Sequence, residues 1–100
     1  MKHEVVFRKE AQQDILEAIA WYESRREGLG DELFIALENA KHLIEQNPYH
    51  FEDKYKGIRK VITKRFPYII YYKIETKNKV LIYAVLQMKR NPRIWKGRLK

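Results

Sequence analysis

Arginines in the second half of the sequence are spaced so that they could bind phosphate groups. Arg59 and Arg65 lie six residues apart in a segment of alternating apolar and polar residues, and Arg90 follows a second, apolar run. Side chains an even number of residues apart point to one face of a strand, and the planar guanidinium fork donates two parallel hydrogen bonds to phosphate. Arg59, Arg65 and Arg90 are therefore our candidate catalytic residues, as groups that bind phosphate or stabilise its charge.

Polar and aromatic residues around these arginines are candidates for contacting a substrate or partner: Lys64, Tyr68, Gln87, Lys89 and Trp95. Glutamine forms hydrogen bonds but exchanges no proton near neutral pH, so Gln87 is not expected to act as a general acid or base. Tyrosines on strands are more often packed in a core than stacked on bases. Trp95 is more readily explained as a packing anchor for the end of the chain than as a platform for a base.

Conventional catalytic and metal-binding motifs are absent from the sequence. It contains no Gly-rich phosphate loop, no HExxH and no EF-hand pattern. Without cysteine it has neither disulfides nor thiolate metal sites. The 3 histidines are scattered, and Ser24 is the only serine, so nothing supports a Ser-His-Asp triad. We expect neither a metal nor a cofactor.

The charges are divided unevenly along the chain. The formal net charge is +8, but residues 1–53 contain 6 Lys or Arg against 12 Asp or Glu, whereas residues 54–100 contain 15 against 1. A half so rich in cations indicates binding to a polyanion or to an acidic protein. A solvated basic face is the simpler alternative, which the single acid in that half disfavours.

The first half of the sequence predicts a short strand and two helices, over residues 3–7, 9–26 and 31–46. Apolar residues recur at helical spacing in both of the longer segments. Gly28 and Gly30 are expected to end the first helix, since glycine adopts left-handed caps without strain. Asp31 is expected to cap the second helix, and Pro48 follows its end.

After the second helix the hydrophobic period changes from helical to alternating, which predicts strands. Residues 57–88 are expected to supply three strands of one sheet. In the last strand Ile82, Ala84 and Leu86 would face the helices, and the residues that alternate with them, through Gln87, would face the other side. The predicted fold class is α+β, in the order β-α-α-β-β-β, with an antiparallel-rich sheet and the helical hairpin on one of its faces.

The second half of the sequence resembles the C-terminal half of RelE/ParE-superfamily toxins in two segments, YKGIRKVITKRFPYIIYYKI and VLQMKRNPRIW. The likeness is to the ParE-like, "plasmid stabilisation" branch. In that branch an arginine, an Arg-Phe-Pro-Tyr run, a His-x-x-Arg-x-Pro run and a tryptophan follow one another. The corresponding positions here are Arg59, Arg65 to Tyr68, Gln87 to Pro92, and Trp95. The N-terminal half resembles the branch as well, so the likeness covers nearly the whole chain.

The resemblance implies the toxin of a type II toxin–antitoxin system, with an antitoxin that wraps the toxin and covers its basic surface. From the uneven charge we further expect an acidic segment of the antitoxin to cover the face with Arg59, Arg65 and Arg90. RelE-like members cut messenger RNA on the ribosome, and ParE-like members poison DNA gyrase without catalytic groups of their own. Both targets stay open, because Gln87 replaces the common histidine while the arginines are kept. The alternative outside toxin biology is a non-catalytic, basic nucleic-acid-binding module.

The sequence is expected to form a single domain over residues 1–100, located in the cytoplasm. No segment has the roughly 20 consecutive apolar residues that a membrane span needs. The N-terminal segment has no uninterrupted apolar stretch of the kind found in signal peptides. We therefore predict no membrane partner.

Overall fold

The structure, a computed structural model that describes residues 3–99, contains five strands and three helices. In chain order they are β1 (Glu4–Phe7), α1 (Lys9–Arg25), α2 (Leu29–Gln46), β2 (Asp53–Tyr55), β3 (Ile58–Ile62), β4 (Tyr68–Thr76), β5 (Lys79–Gln87) and α3 (Arg93–Gly97). The α+β class and the predicted order of elements are confirmed. The structure adds two short elements that the sequence did not predict, the strand β2 and the helix α3.

The five strands form one sheet in the order β1-β5-β4-β3-β2. β1 pairs with β5 in parallel, and the other three pairs are antiparallel. The two longest strands, β4 and β5, occupy the interior of the sheet, where their apolar runs are covered on both sides. The helices α1 and α2 connect β1 to the rest of the sheet and pack on one face.

The turn between α1 and α2 is built on a glycine and a glutamate. Gly28 has a φ of 87°, in the left-handed region that favours glycine. The carboxylate of Glu23 accepts the N–H groups of Gly28 and Gly30, both at 2.9 Å. These bonds hold the pKa of Glu23 below its ordinary value. The prediction that Asp31 caps α2 is wrong, because α2 begins at Leu29 and Glu23 supplies the acceptor.

A β-bulge shifts the register between β4 and β5. Tyr71 pairs with Ala84, but the next residue, Tyr72, pairs with Ile82. Tyr83 is therefore an extra residue on β5, with no single partner opposite it. Because side chains alternate between faces along a strand, one extra residue reverses the orientation of everything that follows it in β5.

The bulge overturns part of the predicted orientation of β5. Ile82 lies in the core beneath the helices, as predicted. Ala84 and Leu86, which were expected on the same side, belong to the cluster on the opposite face. Val85 belongs to the core beneath the helices instead, and Gln87 faces α1. The prediction for these positions assumed unbroken alternation and is wrong from Ala84 onward, whereas Tyr83 lies on the predicted side.

Apolar side chains cover both faces of the sheet. Beneath the helices the buried residues include Leu33, Leu37, Ile44, Val61, Ile70, Tyr72, Val80, Ile82 and Val85. On the opposite face α3 places Trp95 against Tyr71, with ring centroids 4.8 Å apart and ring planes at 19°. Trp95 is only 5% exposed. The short terminal helix thus completes a second, smaller core around one indole.

Candidate functional site

Arg59 is used to hold a loop. It lies in β3 and donates to the carbonyl oxygen of Phe51 at 2.5 Å. Its guanidinium carbon lies 5.5 Å from the centre of the Tyr49 ring, within the range of a cation–π contact. Both partners belong to the segment between α2 and β2, so Arg59 fastens that segment to the sheet.

Arg65 lies beyond the end of β3, in the bend that leads to β4. The bend is closed by the hydroxyl of Thr63, which donates to the carbonyl oxygen of Phe66 at 2.7 Å. Arg65 has a left-handed backbone, with a φ of 73°, and its guanidinium pairs with Glu32 of α2. The expectation that Arg59 and Arg65 share one face of one strand is wrong, because the bend ends the strand before Arg65.

Arg90 lies in a cleft between α1 and the ends of β4 and β5. The cleft has a volume of about 270 Å³. We call it the Arg90 cleft, and its polar and aromatic lining consists of Asp14, Glu17, Trp21, Tyr68, Gln87 and Arg90. Three sequence-predicted site residues therefore meet here, and the bulge in β5 is the reason that Gln87 is among them. The helix α1 contributes an acidic wall that the sequence did not predict.

The chemistry available in the Arg90 cleft is hydrogen bonding and charge. Burial raises the pKa of Tyr68 above its ordinary value, although Gln87 beside the phenol and the positive charge of Arg90 act in the opposite direction. The phenol therefore stays protonated at neutral pH and can donate a hydrogen bond. Gln87 exchanges no proton there either. A phosphate in this cleft would lie near the carboxylates of Asp14 and Glu17 as well as near Arg90.

Asp14 already has partners within the protein. Its Oδ2 accepts the N–H of Val85 at 3.0 Å and a guanidinium N–H of Arg98 at 2.6 Å. The salt bridge favours the charged guanidinium and raises the pKa of Arg98, with burial opposing it. Asp14 is therefore a positioning residue for the end of β5 and is not free to act on a bound molecule.

The remaining sequence-predicted residues lie apart from this cleft. Lys89 is exposed in the turn after β5, and Trp95 is buried against Tyr71. Lys64 is exposed at the rim of a second groove, which has a volume of about 440 Å³ and runs between α2 and the end of β3. We call it the α2 groove, and the residues that define it are Ile35, Leu43, Ile62, Lys64 and Arg65.

The α2 groove is apolar at its centre. Ile35, Leu43 and Ile62 are each more than half exposed. Large apolar patches left in contact with water mark binding sites for proteins or other ligands. One feature of the sequence indicates this groove. The apolar residues of α2 cover a wider part of the helix surface than packing on the sheet alone requires.

Neither a metal site nor a membrane-spanning helix is found in the part of the chain that the structure describes. Within residues 3–99 no cluster of three His, Asp or Glu side chains could hold a metal ion. No helix in the same range is long and apolar enough to cross a bilayer.

The sequence matches the family model described as the ParE toxin of the type II toxin–antitoxin system, parDE, over residues 5–92. The chain therefore belongs to the ParE toxin family. Membership confirms the predicted toxin role and implies an antitoxin as its partner. A search of curated protein sequences gave no match.

Solved structures give the same fold. Eleven chains match, among them one from the chromosomal ParDE toxin–antitoxin system of P. aeruginosa. The TM-score is 0.75 at 11% sequence identity, and the alignment covers 86% of this chain and 96% of that chain. At this identity the likeness concerns the architecture of the chain and not its individual site residues.

Proposed function

We propose that this ParE-family toxin inhibits DNA gyrase in the cytoplasm, and that it acts by binding and not by cutting RNA. The observation that carries the proposal is the composition of the Arg90 cleft. Gln87 takes the position of the superfamily's common histidine, and the carboxylates of Asp14 and Glu17 line the same cleft as Arg90. RNA cleavage requires a group that transfers a proton, which Gln87 cannot supply.

The positions of the arginines support the same conclusion. Charge on a pentacoordinate phosphate is stabilised by donors aimed at one point. Arg59 donates to a backbone carbonyl oxygen, Arg65 pairs with Glu32, and Arg90 lies in a different cleft. Bringing the three together would require breaking contacts that hold loops in place.

Two assays on the purified chain test the proposal. We expect it to block supercoiling of a relaxed plasmid by gyrase, and to leave messenger RNA intact when added to programmed ribosomes. Cells that express it should then show DNA damage before protein synthesis stops. Cleavage of ribosome-bound RNA, with gyrase unaffected, would overturn the proposal in favour of the translation target.

We further propose that the antitoxin docks in the α2 groove. Ile35, Leu43 and Ile62 supply exposed apolar area of the kind that anchors a protein partner. Lys64 lies at the rim, where it complements an acidic antitoxin segment. Arg65 lies at the same rim but pairs with Glu32 of α2. The sequence-based prediction that such a segment covers Arg59, Arg65 and Arg90 stays a prediction, and only Arg65 of the three borders this groove.

A pair of matched substitutions tests the docking site. Leu43→Asp should weaken the complex with the antitoxin at least about tenfold, because it puts a charge into the apolar centre of the contact. Leu16→Asp is the control, since Leu16 is also exposed but lies on α1, outside the groove. Growth inhibition by the free toxin should survive both changes. Equal affinity of the two variants for the antitoxin would show that the groove is not the docking site.

A further inference from the structure

We propose that the sheet face covered by α3 binds the phosphate backbone of duplex DNA through four lysines. We call it the lysine face, defined by Lys56, Lys60, Lys73 and Lys96. They come from four different elements: the β2–β3 turn, β3, β4 and α3. Because the fold and not the sequence brings them together, the cluster is not visible as a basic run in the chain.

Three of the four lysines lie over one group of aromatic rings, and the fourth, Lys73, shares a cavity with two of them. Lys56, Lys73 and Lys96 line a single cavity of about 320 Å³. The ammonium nitrogen of Lys96 lies 4.6 Å from the centre of the Tyr55 ring, and that of Lys56 lies 5.4 Å from the same ring. Such contacts stabilise a cation against an aromatic face. The rings therefore hold the ammonium groups close together at the surface.

Lys60 joins this cluster from the neighbouring strand. Its ammonium nitrogen lies 5.9 Å from the centre of the Tyr71 ring. Tyr71 stacks on Trp95, and Trp95 in turn lies 5.8 Å from Tyr55, centre to centre. One continuous aromatic layer thus lies beneath all of these lysines except Lys73, which packs over Gly57 in the β2–β3 turn.

The four lysines of this face have no acidic partner in the part of the chain that the structure describes. Within residues 3–99 no salt bridge involves any of the four. By contrast, three other lysines each pair with a glutamate, in the pairs Lys41–Glu45, Lys54–Glu52 and Lys79–Glu75. Several unpaired cations around one cavity produce a local positive potential that attracts a polyanion.

The chemistry of the face favours duplex DNA among polyanions. Single strands are held largely by stacking bases on exposed aromatic rings, but Tyr71 and Trp95 are buried. A protein partner needs apolar anchors, and the large exposed apolar side chains of the described chain do not line this cavity. What the face offers is ammonium groups, which contact phosphates as point charges and read no base sequence.

This inference does not rest on the gyrase proposal, because direct binding to DNA needs no enzyme. DNA binding would nevertheless support gyrase inhibition, since a toxin bound to DNA would be close to gyrase acting on the same DNA. The α2 groove and the lysine face share no lining residue.

The test is the salt dependence of binding to a short, fluorescently labelled DNA duplex, followed by anisotropy. The variant Lys60→Gln/Lys73→Gln/Lys96→Gln should bind more weakly than the unchanged chain. Its slope of log affinity against log salt should be smaller by about 2.7, because each phosphate contact contributes about 0.9 on B-form DNA. The control Lys41→Gln/Lys54→Gln/Lys79→Gln loses the same charge and should keep its slope. Two duplexes of unrelated sequence should bind equally.

Four results would overturn the inference, and the first three come from the DNA-binding assay. The first is an equal salt-dependence slope for the two triple variants, which would mean that only the net charge of the protein affects DNA binding. The second is tighter binding of single-stranded RNA than of duplex DNA, and the third is displacement of DNA by polyglutamate at equal charge concentration. If the triple variant does not fold, Lys96→Gln alone should lower the slope by about 0.9, and Lys96→Arg should restore it. Gyrase inhibition without DNA binding would contradict this inference and leave the gyrase proposal intact.

Discussion

Asp14 on α1 and Arg98 beyond α3 are joined by two hydrogen bonds, of 2.6 Å between Oδ2 and Nη1 and 3.1 Å between Oδ1 and Nη2. The same Oδ2 accepts the N–H of Val85, and Arg98 also donates to the carbonyl oxygen of Tyr83 at 3.2 Å. The pair therefore spans the bulge in β5. It fixes both the end of the chain and the orientation in which Gln87 faces α1.

The first prediction concerns this pair. Asp14→Ala should lower the free energy of unfolding by about 3 kcal/mol, because it leaves the Arg98 guanidinium and a backbone N–H without their acceptor. The Asp14 side chain is only 9% exposed, so water replaces those bonds poorly. Urea unfolding measures the change. Glu10→Ala removes a more exposed ion pair with Arg8, at 3.8 Å, and should cost less than about 1 kcal/mol. Equal losses would contradict the assigned role.

The second prediction compares the two tryptophans of the chain. Trp95→Ala should destabilise the protein by about 3–5 kcal/mol, the usual range for removing a buried aromatic side chain, because Trp95 fills the core under α3. Trp21 is 47% exposed on α1, so Trp21→Ala should cost far less. Thermal unfolding of both variants gives the comparison. A small effect at Trp95 would mean that α3 is not an integral part of the fold.

The sequence predicted the helices and the longer strands well, but it predicted poorly which side chains of β5 face the helices. Helical periodicity located α1 and α2 within two residues at each end. The segment Val80 to Leu86 is apolar at every position, however, and both of its faces are buried in cores. An alternating pattern therefore does not exist there to reveal the bulge at Tyr83. Next to the bulge, the N–H of Val85 donates a hydrogen bond to Asp14, which is far away in the chain.

The strand β2, which we did not predict, is indicated only weakly by the sequence. Lys56 and Gly57 form a two-residue turn with φ angles of 48° and 86°, which is typical of a type I′ hairpin with glycine at its second position. The three residues before the turn carry too few apolar side chains to indicate a strand by themselves.

The candidate site was predicted only in part, for a reason of geometry. Tyr68, Gln87 and Arg90 do line one cleft, since β4 begins at Tyr68 opposite Gln87, where the antiparallel β5 ends. Arg59 and Arg65 are kept apart by a bend that depends on the Thr63 hydroxyl, which residue spacing cannot show. The lysine face could not be predicted from the sequence, because its lysines come together only through the strand pairing and the position of α3.

The third prediction concerns alkaline pH. Tyr72 is fully buried and donates to the carbonyl oxygen of Pro48 at 2.6 Å, and burial, partly offset by the charge of Arg59, raises the pKa of Tyr72 to about 12. The unfolded chain releases this proton near pH 10, whereas the folded chain keeps it to about pH 12. Its contribution to stability is therefore complete below pH 10 and is lost as pH rises to 12.

Tyr72→Phe isolates this contribution. The variant should be less stable by about 1 kcal/mol at neutral pH, through loss of the hydrogen bond, and its stability should fall less steeply between pH 10 and pH 12. Denaturant unfolding at several pH values measures both effects. An exposed tyrosine provides the control, and Tyr49→Phe should leave the alkaline slope unchanged. If the stability of Tyr72→Phe and that of the unchanged chain fell equally steeply between pH 10 and pH 12, the raised pKa assigned to Tyr72 would be contradicted.

The fourth prediction concerns the absent proton-transfer group. Gln87→His restores the residue common in the superfamily, in the cleft that also contains Asp14 and Glu17. We expect no RNA cleavage on ribosomes by this variant. Asp14 is already paired with Arg98, but the carboxylate of Glu17 repels the phosphate that the reaction would have to place beside the imidazole. The measurement is primer extension on ribosome-bound messenger RNA. Cleavage by Gln87→His, with none by the unchanged chain, would contradict this prediction and show that the fold lacks only its base.

The fifth prediction concerns Arg90. Its position is fixed by the turn after β5, in which its backbone N–H donates to the carbonyl oxygen of Gln87 at 3.0 Å, and by Pro92, the N-cap residue that precedes α3. The side chain itself is exposed. Arg90→Ala should therefore abolish growth inhibition while changing the free energy of unfolding by less than about 0.5 kcal/mol, as is usual for exposed side chains.

Lys89→Ala provides the matched control for Arg90→Ala, because Lys89 is the neighbouring cation and is exposed in the same turn. It should remain fully toxic with an unchanged melting temperature. Growth after induction, together with thermal unfolding of the purified variants, separates loss of function from loss of structure. A fully toxic Arg90→Ala would show that the Arg90 cleft does not contact the target. A toxic chain would then have to act through another surface, and the unpaired lysines beside α3 would be the next to substitute.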